Sequence, residues 1–188
     1  TREEVLFERP VPPECTADIF RWSREHGALV IGFDGDDYIY EEDNDFVRSY
    51  AKFHGFEGIC DPTLHEKELY CPKLSVLGSP ETLQELQRYI EETYHDRLQA
   101  INILAQRIEV THIDCNKGKA MLWLANYLGI APEECMAIGD ETLDASMIQA
   151  AGIGVAMENG SADIKAVADY VCPDNDHDGI ADAIYRSI

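Results

Sequence analysis

Two groups of acidic residues in this 188-residue chain directly follow short apolar runs. The first group, in GFDGDD, holds Asp34, Asp36 and Asp37 after ALVIGF. The second group, in IGDETLD, places Asp140 after CMAIG and Asp144 about one helical turn further on. Carboxylates at such positions can hold a hard cation such as Mg2+, and an aspartate can also attack phosphorus as a nucleophile.

The IGDETLD spacing admits two interpretations. Asp140 and Asp144 bind Mg2+ at the carboxyl edge of a parallel sheet, or Asp140 and Thr142 cap the helix that follows. Lys117, in CNKGKA, stands at the start of the preceding helix. Its ammonium could meet a phosphate oxygen there, although a lone lysine is more commonly a solvated surface charge.

The first 113 residues have the pattern of an α+β unit with hairpins. Residues 55–72 show no clear pattern. The predicted helices are 12–26, 43–54 and 79–96, and the predicted strands are 28–33, 38–40, 73–78, AINIL and RIEVTHI. After His112 the strands alternate with helices, which indicates a parallel, doubly wound sheet with ligands bound at the carboxyl ends of its strands.

Composition limits the class of protein. The net charge of −21 disfavours binding to nucleic acid and to anionic membranes. No apolar run approaches the roughly 20 residues of a membrane span, and TREEVLFERP is not a signal peptide. The six cysteines form no Cys-x-x-Cys pair, which argues against a zinc ribbon and favours reduced thiols in a cytoplasmic protein.

From Lys117 onward the chain resembles the Cof-like sugar phosphatases of the haloacid dehalogenase superfamily. The family has Lys-Gly at a helix start, Gly-Asp-x-x-Asn-Asp after a strand, a Val-Ala-Met-x-Asn segment and an Asp-Gly before its last helix. The matching segments, in the same order, are NKGKAMLWLANYLGI, EECMAIGDETLDASMIQAAGIGVAMENG and AVADYVCPDNDHDGIADAI. The resemblance implies an α/β fold: part of a Rossmann-like doubly wound parallel sheet with an α+β cap domain.

The resemblance also implies an activity, the hydrolysis of small phosphorylated metabolites by an Mg2+-dependent phosphatase with an aspartate nucleophile. By position, Asp140 matches a metal ligand, and Asp144 matches the accompanying acid that supports the metal site or the lysine. Lys117 matches the catalytic lysine that pairs with the nucleophile and the phosphate. Gly139 and Asn159 match residues that support the phosphate site.

Two positions depart from the family pattern. Leu143 stands where the family usually has Asn, which replaces a hydrogen-bonding amide in the metal site by an apolar side chain. In GFDGDD, Asp37-Tyr38 stands where the nucleophile motif Asp-x-Asp-Gly-Thr has Gly-Thr, and the strand YIY follows at once. We therefore interpret GFDGDD as a solvated hairpin tip and expect no nucleophile in this chain. The alternative is that the acids of GFDGDD face the substrate from the cap domain.

The resemblance divides the chain into a lead-in segment from core to cap (1–11), a cap domain (12–113) and the C-terminal half of the core (114–188). The nucleophile strand would then lie before Thr1. Without a nucleophile, we expect the chain alone to be inactive. Half a doubly wound sheet also exposes strand edges, so we expect the chain to aggregate, self-associate or need a missing N-terminal segment. A non-catalytic pseudoenzyme or regulatory remnant is the alternative, and an in-frame Asp-x-Asp-Gly-Thr upstream would distinguish the two.

A further acidic segment, DNDHDGIAD, raises the alternative of a calcium-binding module. Its aspartates are spaced as oxygen ligands: Asp174, Asp176, Asp178 and Asp182. An EF-hand also needs a glutamate at the twelfth position, where this chain has Tyr185. Local capping of the last helix is the simpler interpretation.

Overall fold

The computed structural model describes residues 4–35, 37–55 and 58–187. The chain folds into two compact units, Thr1–Asp114 and Cys115–Ile188, which we name the N-terminal and C-terminal units. Each unit has its own sheet and its own apolar clusters.

The described residues of the N-terminal unit form three helices and six strands. In chain order they are α1 (Pro13–Glu25), β1 (Leu29–Asp34), β2 (Asp37–Tyr40), α2 (Asp45–His54), β3 (Gly58–Cys60), β4 (Leu74–Leu77), α3 (Pro80–Tyr94), β5 (Leu98–Leu104) and β6 (Arg107–His112). A short 3-10 turn covers Leu64–Glu66.

These strands form one sheet in the order β3-β2-β1-β4-β6-β5. The β1–β2 and β5–β6 hairpins are antiparallel, as the sequence predicted. Strand β3, which the sequence pattern did not reveal, pairs in parallel with β2. Its three residues are all exposed, so they carry no apolar alternation that a sequence pattern could show.

The main core of the N-terminal unit lies between one face of the sheet and the helices α1 and α3. Helix α1 contributes Ile19 and Phe20, and α3 contributes Leu83, Leu86 and Ile90. These side chains recur at helical spacing and pack on alternate residues of the strands. Ser79 caps α3, because the Thr82 backbone N–H donates to Ser79 Oγ at 3.2 Å.

The C-terminal unit alternates helices and strands through its described residues. They are α4 (Lys117–Leu128), β7 (Met136–Gly139), α5 (Ala145–Ala150), β8 (Ile153–Met157), α6 (Ala162–Val167), β9 (Tyr170–Cys172) and α7 (Gly179–Ser187). Two 3-10 turns, Pro132–Glu134 and Thr142–Asp144, precede β7 and α5.

The three strands of this unit are parallel, in the order β7-β8-β9. Ile148 of α5 and Ile164 of α6 pack with Ala156 in one apolar cluster. The neighbouring strand residue Val155 packs with Ala183 of α7 in a second cluster. Since successive strand residues point to opposite faces, helices cover both faces of the sheet, and the doubly wound prediction is confirmed.

No helix among the described residues is both long and apolar enough to cross a membrane.

We predict that Leu86→Ala lowers the free energy of unfolding of the N-terminal unit by about 2–5 kcal/mol, because it removes buried methyl groups and leaves a cavity. Urea unfolding followed by Trp22 fluorescence, in a Trp123→Phe background, would measure this. The matched control is Leu104→Ala, at a side chain that is 62% exposed, where we expect a change below about 0.5 kcal/mol. Equal losses in the two variants would contradict the core described above.

Candidate active site

Three loops at the carboxyl edge of the parallel sheet carry the polar residues that the sequence pattern singled out. Asp140 follows β7, Asn159 follows β8 and Asp174 follows β9. Because parallel strands end at the same edge, these residues lie on one side of the unit. The start of α4 adds Lys117 to this group.

The start of α4 is fixed by contacts on both sides of Lys117. The Asn116 side chain caps the helix by accepting from the Lys119 backbone N–H at 2.8 Å. The Gly118 backbone N–H donates to Ser146 Oγ of α5 at 3.0 Å. A Cβ on Gly118 would lie 2.3 Å from the Ser146 carbonyl oxygen, so only glycine allows α4 to begin this close to α5.

Asp144 is the most constrained acid of the site. Its Oδ1 pairs with Lys117 Nζ, and its Oδ2 accepts from the backbone N–H groups of Asp140 and Glu141, each at 3.1 Å. The Asp144 side chain is 5% exposed, whereas the Lys117 side chain is 56% exposed. The Lys117 ammonium is therefore held by a buried carboxylate, while more than half of the lysine side chain stays exposed to solvent, where an anion can approach it.

The pKa of Asp144 lies below its usual value. Burial of the side chain acts to raise this pKa, but the ion pair with Lys117 and the two backbone N–H groups outweigh burial and lower it. Asp144 is thus a charged group at neutral pH, held in place by compensating donors.

Gly139 makes room for this arrangement. A Cβ on Gly139 would lie 2.4 Å from the Asp144 Cβ, closer than real side-chain contacts allow. The glycine before Asp140 is therefore required for Asp144 to fold back over the end of β7. This gives the predicted support residue Gly139 a physical role, a close approach of side chain to backbone.

Asn159 joins the loop after β8 to both neighbouring loops. Its Nδ2 donates to Asp140 Oδ2 at 3.0 Å, and its Oδ1 accepts from the Asn175 backbone N–H at 3.1 Å. The second Asp140 oxygen, Oδ1, receives no hydrogen bond from the described residues. Asn159 therefore orients the Asp140 carboxylate and leaves one of its oxygens available.

The capping alternative for IGDETLD takes a different form in the structure. Asp144, not Asp140 or Thr142, accepts the backbone N–H groups at the 3-10 turn before α5.

Leu143, the departure from the family pattern, is 38% exposed. The sequence alone did not indicate Ser146, whose hydroxyl contacts the start of α4, because no motif connects it to Gly118, 28 residues earlier.

GFDGDD lies at the tip of the antiparallel β1–β2 hairpin, in register Asp34↔Asp37. Gly35 adopts a positive φ of 61° in the turn. Asp36 lies outside the described residues, as does the side chain of Asp34. The strands on either side of these acids are antiparallel neighbours, unlike those at the carboxyl edge of the C-terminal sheet.

The acids of DNDHDGIAD make local contacts at the lead-in to α7. Asp174 Oδ1 accepts from the Asp176 backbone N–H at 3.0 Å and pairs with His177 Nδ1 at 2.6 Å. Asp182 pairs with Arg186 one helical turn later. Throughout the described part of the chain, no group of three or more His, Cys, Asp and Glu side chains is placed to hold a metal ion.

The doubly wound C-terminal unit, with its site at the carboxyl edge, defines a Rossmann-like α/β protein. A profile of haloacid dehalogenase-like hydrolases matches residues 1–184. The HMP-PP phosphatase of Klebsiella pneumoniae is 28% identical over 166 residues, which cover 87% of this chain and 60% of that protein. The chloroplastic endoribonuclease YBEY of Arabidopsis thaliana is 43% identical over 98 residues, 52% of this chain and 17% of that protein.

A solved structure gives the same result for the fold. A haloacid dehalogenase-like hydrolase from Bacteroides thetaiotaomicron matches with a TM-score of 0.88 and 26% identity over 99% of this chain and 71% of that one. The chain belongs to the haloacid dehalogenase-like hydrolase family, which confirms the resemblance seen in its motifs. It spans less than two thirds of the length of the Klebsiella and Arabidopsis relatives.

We predict that Asp144→Asn destabilises the C-terminal unit at neutral pH by about 1–3 kcal/mol, because the amide cannot satisfy both Lys117 and the two backbone N–H groups. The folded-state pKa of Asp144 is lowered, so its stabilising effect is present above the usual carboxyl range and is lost as the pH falls through the folded-state pKa.

The measurement is urea unfolding followed by Trp123 fluorescence, in a Trp22→Phe background, from neutral pH to about pH 2.5. The difference between the parent and Asp144→Asn should shrink in acid. Asp163→Asn, in the first turn of α6, is the matched control for the loss of one carboxylate. A difference that stays constant over this pH range would rule out the charged, compensated state of Asp144.

Proposed function

We propose that this chain is part of an Mg2+-dependent phosphatase that hydrolyses phosphomonoesters of small metabolites such as sugar phosphates. The observation that carries the proposal is Lys117, held by the buried Asp144 beside Asp140 at the carboxyl edge of a parallel sheet. Membership of a hydrolase family and similarity to the Klebsiella phosphatase support it. In this proposal the N-terminal unit is the cap and the C-terminal unit is half of the core.

Lys117 would act on the phosphate group of the substrate. Its ammonium is a point charge that can pair with a phosphate oxygen, and its side chain is 56% exposed. Asp144 would be a positioning residue, because both of its oxygens already contact Lys117 or the backbone. In a chain of net charge −21, this lysine gives the phosphate a local attraction against the general repulsion.

The residues at this edge fit Mg2+, because they would supply part of its coordination shell. Asp140 would be the direct ligand through the oxygen that Asn159 does not engage, and Asp144 would support it from behind. Mg2+ commonly keeps several waters and takes only one or two protein carboxylates together with phosphate oxygens. When bound, the metal supplies charge neutralisation at the phosphoryl group.

The attacking carboxylate would come from a segment outside these 188 residues. The position of Asp34 at the turn of an antiparallel hairpin supports this part of the proposal. The chain alone would then bind metal and phosphate without turnover. We also propose a cytoplasmic location, where the six cysteines, which form no disulfide, would stay reduced.

We predict no hydrolysis of p-nitrophenyl phosphate by this chain in the presence of Mg2+, because the proposal places the attacking carboxylate outside the chain. The assay follows release of p-nitrophenolate, with the Klebsiella phosphatase as the positive control for the conditions. Turnover that Asp34→Asn abolishes and Asp37→Asn preserves would contradict the prediction and make GFDGDD the nucleophile.

We predict that Mg2+ binds weakly, with a dissociation constant on the order of 0.1–1 mM, and that Asp140→Asn removes this binding. Isothermal titration calorimetry measures it without relying on activity. Asp163→Asn serves again as the matched carboxylate control and should bind as the parent does.

Binding unchanged in Asp140→Asn would overturn the proposed metal site. A parallel titration with Ca2+ tests the acidic loop before α7. Micromolar Ca2+ affinity that disappears in Asp176→Ala would favour a calcium-binding module instead.

A further inference from the structure

The six-stranded sheet of the N-terminal unit has two edges of very different character. One edge is β3, three residues long, and the other is β5, Leu98–Leu104. The β5 sequence, LQAINIL, has no charged residue and no proline, although the chain carries 36 acids. Edge strands usually avoid pairing with another chain through charged residues, prolines or short length. Strand β5 has none of these features, so its edge is open to pairing.

The backbone of β5 presents hydrogen-bonding groups on its outer side. The Arg97 carbonyl accepts from the Ile113 N–H at 2.8 Å, which fixes which residues pair with β6. Alternation along an antiparallel strand then directs the N–H and C=O of Leu98, Ala100 and Asn102 outward. Gln87 Nε2 of α3 reaches the Ala100 carbonyl at 3.5 Å, the long limit of a hydrogen bond, consistent with this direction.

A cavity of about 650 Å3 lies between α3 and this outer side of β5. Its floor includes Leu98 and Ala100, and its helical wall includes Gln84, Arg88 and Glu91. We name this surface the β5 edge groove. The β-bulge between Asn102 and Leu104 ends the regular edge, so Leu98–Asn102 is the part available for pairing.

We propose that the β5 edge groove binds a second copy of this chain, with the two β5 strands antiparallel about a two-fold axis near Ala100. Such pairing would join the two sheets into one and place Ala100 opposite the partner's Ala100. The outward N–H and C=O groups of Leu98 would meet those of the partner's Asn102.

The charges on α3 favour a second copy over an unrelated extended segment. Arg88 and Glu91 are both exposed and lie three residues apart on the groove wall. Among the described residues, neither takes part in an ion pair. At a two-fold axis both chains contribute the same surface. Arg88 can therefore face the partner's Glu91, and Glu91 can face the partner's Arg88. One symmetric contact thus yields two complementary pairs.

Sedimentation equilibrium of the 188-residue chain tests the proposal. We expect a monomer–dimer equilibrium that Arg88→Glu weakens at least about tenfold, because two glutamates then face each other across the axis. The double variant Arg88→Glu/Glu91→Arg restores the opposite charges and should return the dissociation constant to within about threefold of the parent. Lys52→Glu, on α2, is the matched charge control and should dimerise normally.

Amide hydrogen exchange at low and high protein concentration tests the strand. We expect exchange at Leu98, Ala100 and Asn102 to slow with concentration, and Asn102→Lys to abolish this effect by placing a charge on the edge. A monomer at all concentrations up to about 100 µM would overturn the proposal. So would a dimer protected at β7 instead of β5, or one in which the charge swap restores nothing.

Discussion

The ion pair between Asp144 and Lys117 is the interaction on which the site of the C-terminal unit depends. A nearly buried carboxylate is costly unless its charge is compensated, and here the compensation comes from a lysine and two backbone N–H groups. These donors belong to the start of α4 and to the loop after β7. The pair therefore ties together two segments that are distant in sequence, and it aims the lysine toward solvent.

Glycines make this pairing sterically possible. Gly139 lets Asp144 fold against the end of β7, and Gly118 lets α4 start against the backbone of α5. Neither glycine is needed for a positive φ, so their role is close packing and not turn geometry. Asn159 extends the same network to the loops after β8 and β9 through its two amide contacts. The site is thus positioned by the rigid edge of a sheet, with the loops held to one another.

The N-terminal unit follows a different physical logic. Its sheet is largely antiparallel, buries one face under α1 and α3, and brings GFDGDD to a hairpin tip. The expectation of self-association was drawn from an incomplete parallel sheet in the C-terminal unit. In the structure, the edge strand suited to self-association is instead β5 of the N-terminal unit. This strand is long and uncharged, and it borders a groove with charges of both signs.

The sequence by itself determined most of the elements, because apolar periodicity, caps and glycine stops are local signals. It predicted the helix over 79–96, the hairpin of β1 and β2, and the alternation of strands and helices that makes the C-terminal sheet parallel. It missed β3, whose three exposed residues carry no pattern. Motif order also brought Lys117, Asp140 and Asp144 into one hypothesis. Only the tertiary structure showed that the Asp144 oxygens contact Lys117 and two backbone N–H groups. It also showed that the Ser146 hydroxyl accepts from the N–H of Gly118 at the start of α4, and that β5 is an edge strand. These facts depend on contacts between segments far apart in the chain, which no local pattern encodes.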